Sequence, residues 1–241
     1  MHATTAARAS GRRVNRVSGR RMDTSSNEMK AYYAARASYY DVVYDKPERR
    51  QDIDFLKQHL PQRFANHEVL EVACGTGFWS QHIAPSSARF VATDGVAEPL
   101  EIAKTRAGID PRNCFVADAY WLPASLGQFD GAFAGLWFSH VPIERYAEFF
   151  TSLHARLRPL ARVILIDNSA VQCVEFPIVE TDSYGNTFQR RPLRDGSSHR
   201  VLKNFPSEQQ LTSLAAQFRA TNVEFRALEH FWYFEYALPD S

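Results

Sequence analysis

The chain has 241 residues, 45% of them apolar, and a formal charge of +1, enough to bury one substantial core as a single domain. Its three cysteines, Cys74, Cys114 and Cys173, are an odd number without metal-ligand spacing, which suggests neither a disulfide framework nor a zinc site and fits a reducing, cytoplasmic setting. No apolar stretch approaches the length that crosses a bilayer, so a soluble protein without a membrane partner is expected.

Residues 1–21 carry six arginines and no acid, which leaves −5 for the rest of the chain. Residues 1–28 are therefore expected to be a disordered basic extension. It is open to three readings: a mitochondrial transit peptide, a nucleic-acid-binding arm, or an extension from a misassigned start. Met22 and Met29 are natural starts, which favours the third. The acidic body argues against a nucleic-acid partner, since such domains carry a basic face of their own.

The folded domain is expected over 29–241. Residues 29–44, "MKAYYAARASYYDVVY", contain no Gly or Pro and read as a helix, and "RRQDIDFLKQHL" (49–60) reads as a second that Pro61 ends. Short β-branched or aromatic runs at 68–72, 89–93, 113–117, 129–135 and 162–167 then alternate with helical stretches at 78–84, 97–107 and 142–157. That alternation predicts a parallel sheet with helices on both faces. Beyond Asp167 it stops. "NTFQRRPL" and "SHRVLKNF" flank an Asp195-Gly196 hairpin signal, and a helix follows over 207–218 with Ser207 as its cap. "TNVEFRAL" and "FWYFEYAL" are so close together that they must pair antiparallel.

The stretch "VLEVACGTGFWS" (69–80) turns from the first strand into its helix, at the sheet edge where open α/β folds bind ligands. Gly75 and Gly77 allow close approach of a ligand. A dinucleotide fingerprint would need glycine where Ser80 stands, and the Gly-Lys-Ser/Thr of a phosphate loop is missing. The acid at Glu71 would repel a pyrophosphate and suits an ammonium or sulfonium ligand. Glu71-Val72-Ala73-Cys74-Gly75-Thr76-Gly77 resembles motif I of the class I S-adenosylmethionine-dependent methyltransferases, with Ala73 in place of the first glycine. "RFVATDG" and "CFVADAYWLP" resemble the next two motifs, and "FDGAFAGLWFSHVP" and "LHARLRPLARVILID" the fourth and fifth strands of the same family.

The resemblance implies a Rossmann-like, doubly wound seven-stranded sheet of order 3-2-1-4-5-7-6 with the last strand antiparallel, an N-terminal lid helix, and a hairpin insertion after the fifth strand. It implies S-adenosylmethionine as cofactor. Glu71 would lie near its amino group, and Ala73, Cys74, Gly75 and Gly77 under its methionyl and ribose portions. Asp94 and Gly95 would lie at the ribose, Asp118 and Ala119 at the adenine, and Gly135 at the edge that faces the methyl group. Tyr33, Arg36, Tyr40 and Tyr44 share one helical face. That face is either a lid, with Arg36 meeting the methionine carboxylate and Tyr33 or Tyr40 closing over it, or ordinary packing.

Methyl transfer is an in-line displacement that needs alignment, and a base only when the acceptor must lose a proton. His140, just past the fourth strand, is either that base or a packing histidine, and Ser139 either orients the acceptor or caps the next helix. The insertion 171–206 carries Tyr184, Phe188, Arg190, Arg191, His199 and Lys203. It is either an acceptor roof for an acidic or phenolic small molecule or a charged, solvated edge. The expected activity is methyl transfer to an oxygen or nitrogen of a small-molecule acceptor, without a metal. A nicotinamide-dependent oxidoreductase and a non-catalytic partner subunit are the alternatives. The expected location is the cytoplasm, or the mitochondrion if residues 1–21 are a transit peptide.

Overall fold

The computed structural model describes residues 24–240. The basic extension lies almost wholly outside them, except that the first helix, α1 (Thr24–Arg36), starts upstream of Met29. It also ends early. At Ala37 the chain tightens into a 3₁₀ segment, Ala37–Val43, kinked at Tyr39, so the single helix expected over 29–44 is two pieces.

Next comes α2 (Arg50–Arg63), which runs through Pro61 instead of stopping before it. Proline in a last turn forfeits one backbone bond. Here the Phe64 N–H still reaches the Leu60 carbonyl at 3.2 Å, and the fully buried Phe64 ring secures the turn.

The parallel strands β1 (Glu68–Val72), β2 (Arg89–Asp94), β3 (Cys114–Val116) and β4 (Phe129–Gly135) precede a long β5 (Leu157–Asn168). Their crossovers are short helices, α3 (Ser80–Ile83), α4 (Ala97–Ala103) and α5 (Tyr146–His154). The last two strands of the main sheet, β9 (Thr221–Ala227) and β10 (Phe231–Ala237), form the expected hairpin. The sheet order is β3-β2-β1-β4-β5-β10-β9, with β10 antiparallel to both neighbours. Counted within the sheet, this is the 3-2-1-4-5-7-6 order.

Both faces of the central strands are buried, whereas the edge strands β3 and β9 are largely exposed, and the two-residue period of the central strands sorts their side chains between the faces. Val163 and Leu165 pack with Phe149, Phe150 and Leu153 of α5 on one face, together with Leu211 and Ala215. Ile164 and Ile166 pack with Ile53, Leu56 and Leu60 of α2 and with Leu100 and Ala103 of α4 on the other.

Glu235 breaks the apolar run of β10 on the α2 side. Its buried carboxylate accepts from Nε of Arg63 at 2.9 Å, from Nε of Arg162 at 2.8 Å, and from the Tyr233 hydroxyl. Burial alone would raise its pKa, but Arg63, Tyr233 and Arg162 outweigh burial and hold it down.

Between β5 and β9 the chain builds a second, three-stranded sheet from β6 (Ile178–Thr181), β7 (Thr187–Pro192) and β8 (Ser198–Leu202). The β7–β8 hairpin is the one signalled by Asp195-Gly196, whereas β6 is an addition to the expected insertion. The next helix, α6 (Glu208–Gln217), is capped by Ser207 in a reciprocal box with Gln210. No helix among the described residues is long and apolar enough to cross a membrane.

Removing the Glu235 carboxylate leaves two guanidinium groups facing each other without their anion. Glu235→Ala is expected to cost about 2 kcal/mol, less than a fully buried pair because both arginines are partly exposed. Urea denaturation measures it.

Candidate active site

A cavity opens at the carboxyl edge of β1, β2 and β4, roofed by α1 and the 3₁₀ segment. Its floor is the turn 73–77. Three residues of this turn have left-handed backbone: Ala73 (φ 56), Gly75 (φ 56) and Gly77 (φ 74). Ala73 therefore holds the conformation that suits a glycine, at the position where the resembled motif has one, at a cost of roughly 1 kcal/mol.

The two glycines differ in purpose. A Cβ on Gly75 would meet nothing within 4 Å, because the cavity lies there; one on Gly77 would stand 2.9 Å from the Ala103 Cβ. Gly75 lines the cavity, and Gly77 lets the turn pack on α4.

Asp94, at the end of β2, is buried on the cavity wall. Its carboxylate accepts from the Gly75 N–H at 2.8 Å and from the Val96 N–H at 2.8 Å. Burial pushes its pKa up to about 6, against the pull of those N–H groups. Gly95, Asp118 and Ala119 also line the cavity, as do Ala73, Cys74 and Gly135. Asp118 accepts the Tyr120 N–H at 3.0 Å, as a turn aspartate does. Gly135 has no room for a Cβ, which would fall 2.8 Å from Trp79. Burial raises the Cys74 thiol well above its ordinary range, so it is an apolar wall and not a nucleophile.

Glu71 is placed otherwise than expected. Its side chain is buried beneath the turn, accepts from the Ser80 hydroxyl, and does not face the cavity. Burial pushes its pKa up to about 8.

The lid is fastened at the glycine turn. Asp41 accepts from the Thr76 hydroxyl and from Arg106, whose Nε also donates to the Thr76 carbonyl at 3.0 Å. Tyr44 stacks on Phe78 with ring centres 3.6 Å apart. Tyr33, Tyr40 and Tyr44 face the cavity, but Arg36 does not. The helix tightens right after Arg36, and its guanidinium lies over the Tyr32 and Tyr40 rings, donating to the Tyr32 hydroxyl at 2.5 Å.

At the other end of the cavity stands His140, in the 3₁₀ turn Phe138–His140. Its Nδ1 lies 2.6 Å from the Leu202 carbonyl, and its Nε2 lies 2.7 Å from the Tyr33 hydroxyl. A carbonyl only accepts, so Nδ1 carries the proton and Nε2 receives the Tyr33 O–H. Burial and then the charge of Lys203 depress the imidazole pKa to about 3, so the ring is neutral. Ser139 neither faces the cavity nor caps α5; its N–H donates to Asp167 at 2.9 Å.

Several cavity residues were not expected from the sequence. Trp79 and Trp137 line it with buried indole N–H groups that have no partner among the described residues. Leu136 holds left-handed backbone (φ 56) beside them. Both tryptophans stand inside the motif stretches, where an aromatic flanking a ligand turn is the available signal. The Leu202 carbonyl is a backbone group from the insertion and has none.

The cavity fits a ligand with a cationic, carboxylate-bearing amino-acid end and a ribose. The open cradle over Gly75, the two unpartnered indole donors and the acid at Asp94 are the features that match. A family model described as a methyltransferase domain matches residues 69–160. Among solved structures, DhpI bound to S-adenosylhomocysteine superposes with a TM-score of 0.72 at 26% identity, covering 89% of this chain and 97% of that one. The DhpI–SAM–HEP complex gives 0.70 and 28%, with 89% and 98% covered. The chain is a class I S-adenosylmethionine-dependent methyltransferase.

The N-methyltransferase NodS from Bradyrhizobium japonicum WM9, bound to S-adenosylhomocysteine, shares this methyltransferase's fold at 12% identity (TM-score 0.61; 88% of this chain and 99% of that one). No curated protein matches the sequence. The cofactor is S-adenosylmethionine, which displaces the nicotinamide and non-catalytic alternatives.

Asp94→Ala is expected to abolish binding of S-adenosylhomocysteine in a calorimetric titration while the protein stays folded, because Asp94 is the one carboxylate at this wall that also orders the Gly75 amide. For Glu71 the folded state holds its proton more tightly than the unfolded chain does. Its contribution to stability is therefore present below the ordinary carboxylate range and is lost as pH rises toward about 8. Glu71→Gln should gain thermal stability relative to wild type between about pH 5 and about pH 8.5 in ligand-free protein, and a constant difference across that range would contradict the burial account.

Proposed function

We propose that the enzyme methylates an oxygen or nitrogen of a small molecule and that His140 takes the acceptor's proton. The observation that carries this reading is the neutral, Nδ1-protonated imidazole whose basic Nε2 meets Tyr33 at the cavity wall. When bound, S-adenosylmethionine supplies an electrophilic methyl on a sulfonium. Gly75, Asp94 and Asp118 would hold its body, with Tyr40 and Tyr44 above.

The acceptor's proton passes to Nε2 directly, or through the Tyr33 hydroxyl, which gives its own proton to Nε2 as it receives one. A pKa of about 3 makes His140 a weak base in the empty cavity. During transfer, however, His140 acquires positive charge as the sulfonium charge disappears. The charge in the cavity is then conserved, and burial opposes the step less than it opposes simple protonation.

Tyr33 cannot be the resting base, because burial raises its pKa well above the ordinary tyrosine range. The charges near this end are mainly positive: Arg191 and Arg36 act on Tyr33 and Tyr40, and Lys203 on His140. They favour an acceptor that is acidic or phenolic, or that becomes anionic as it loses its proton. Of residues 171–206 only Leu202 lines this cavity, so the insertion meets the acceptor end there and not as a roof of charged side chains. The acidic balance beyond residue 21 supports a diffusible acceptor over a nucleic acid.

His140→Gln is expected to bind S-adenosylhomocysteine as wild type does and to slow turnover by roughly 10²-fold or more with an acceptor found by methyl-transfer screening. Equal loss of cofactor affinity would remove His140 from the chemistry. Because His140 stays unprotonated far above its depressed pKa, the wild-type rate should show no acid limb from it between about pH 5.5 and about pH 8.

A further inference from the structure

The insertion closes over the site at one place, where three consecutive residues meet three others. The Leu202 carbonyl accepts from His140 Nδ1. Lys203 Nζ donates to Ser139 Oγ at 2.6 Å, and also to Asp167 Oδ1 at 2.7 Å and Asn168 Oδ1 at 3.0 Å at the end of β5. The Asn204 N–H donates to the Ser139 carbonyl at 2.8 Å, and its Nδ2 to the Val141 carbonyl at 3.1 Å. Residues 202–204 therefore clasp residues 139–141 from the side opposite Tyr33.

The clasp is buried throughout. Lys203 and Asp167 are 1% and 0% exposed at the side chain. A fully buried ion pair adds little net stability compared with well-packed apolar residues, but it tolerates only one geometry. Here that geometry sets where the Leu202 carbonyl points. The carbonyl in turn decides which imidazole nitrogen carries the proton.

We propose that Lys203 and Asn204 are positioning residues that hold the Leu202 carbonyl on His140 Nδ1 and so keep Nε2 free to act as base. This inference rests on the role of His140 proposed above. Neither residue faces the cavity, so neither is offered as a contact to cofactor or acceptor. The charged and titratable groups that face His140 are Tyr33 from α1, Asp167 from β5, Arg191 from β7 and Lys203 just past β8. Of these, Lys203 and Arg191 oppose protonation and Asp167 favours it.

The test uses the ¹⁵N spectrum of the histidine rings in the full chain, with the His140 signals assigned by their loss in His140→Gln. Wild type should show one tautomer, with the proton on Nδ1 and no titration between about pH 5 and about pH 8. Asn204→Ala should show averaged Nδ1 and Nε2 shifts, the mark of two exchanging tautomers. Lys203→Met should do the same and titrate at higher pH, because Asp167 then acts without its counter-charge. Lys203→Met with Asp167→Asn removes both charges together, and is expected to mix tautomers without a buried orphan carboxylate that could unfold the protein.

S-adenosylhomocysteine binding, measured alongside, should stay near wild type in all variants. If the folded variants keep a single Nδ1–H tautomer, the clasp does not position His140, and the proposal falls while His140 keeps its role. If wild type itself carries the proton on Nε2, the assignment of His140 as base falls with it.

Discussion

The hydrogen bond between His140 Nδ1 and the Leu202 carbonyl joins the two halves of this enzyme. One partner stands at the carboxyl edge of the main sheet, just past β4, and the other at the end of the inserted hairpin. It places the ring proton on Nδ1 and so leaves Nε2 as the acceptor of the Tyr33 hydroxyl that docks there from the lid, while burial and Lys203 keep the ring neutral. The sheet edge supplies the floor and His140, and the insertion and the lid supply the two groups bonded to its ring.

The lid and the cofactor floor are linked in a comparable way. Asp41 in the 3₁₀ segment reaches the Thr76 hydroxyl and Arg106, and Thr76 belongs to the turn that carries Gly75. Closure of the lid and the shape of the turn therefore share a polar contact. Tyr33 reaches His140 at the other end, so one short N-terminal segment touches both the glycine turn and His140.

The fold was readable from the chain because strand alternation, helix length and turn chemistry agree with one another. The strands at 68–72 and 129–135 fall where their β-branched and aromatic runs predict, and Asp94 and Asp118 stand on the cavity wall at their strand ends. The misses have physical causes. Arg36 follows Tyr33 by one turn of α1, but its guanidinium is held by the Tyr32 hydroxyl and over the Tyr32 and Tyr40 rings and so does not reach the cavity. Glu71 resembles a ligand contact by position, yet Ser80 holds it beneath the turn. β6 has every side chain exposed and so lacks the alternation that marks a strand. Leu202 acts through its backbone, which no residue type announces.

If His140 is the base, one cavity must hold S-adenosylmethionine with its reactive sulfur toward His140. A crystal structure of the full chain with S-adenosylhomocysteine tests it most directly. The expected result is the ribose at Asp94, the adenine by Asp118, and the sulfur opening toward Tyr33 and His140. A ligand in this cavity with its sulfur directed away from His140, or bound elsewhere on the molecule, would contradict it.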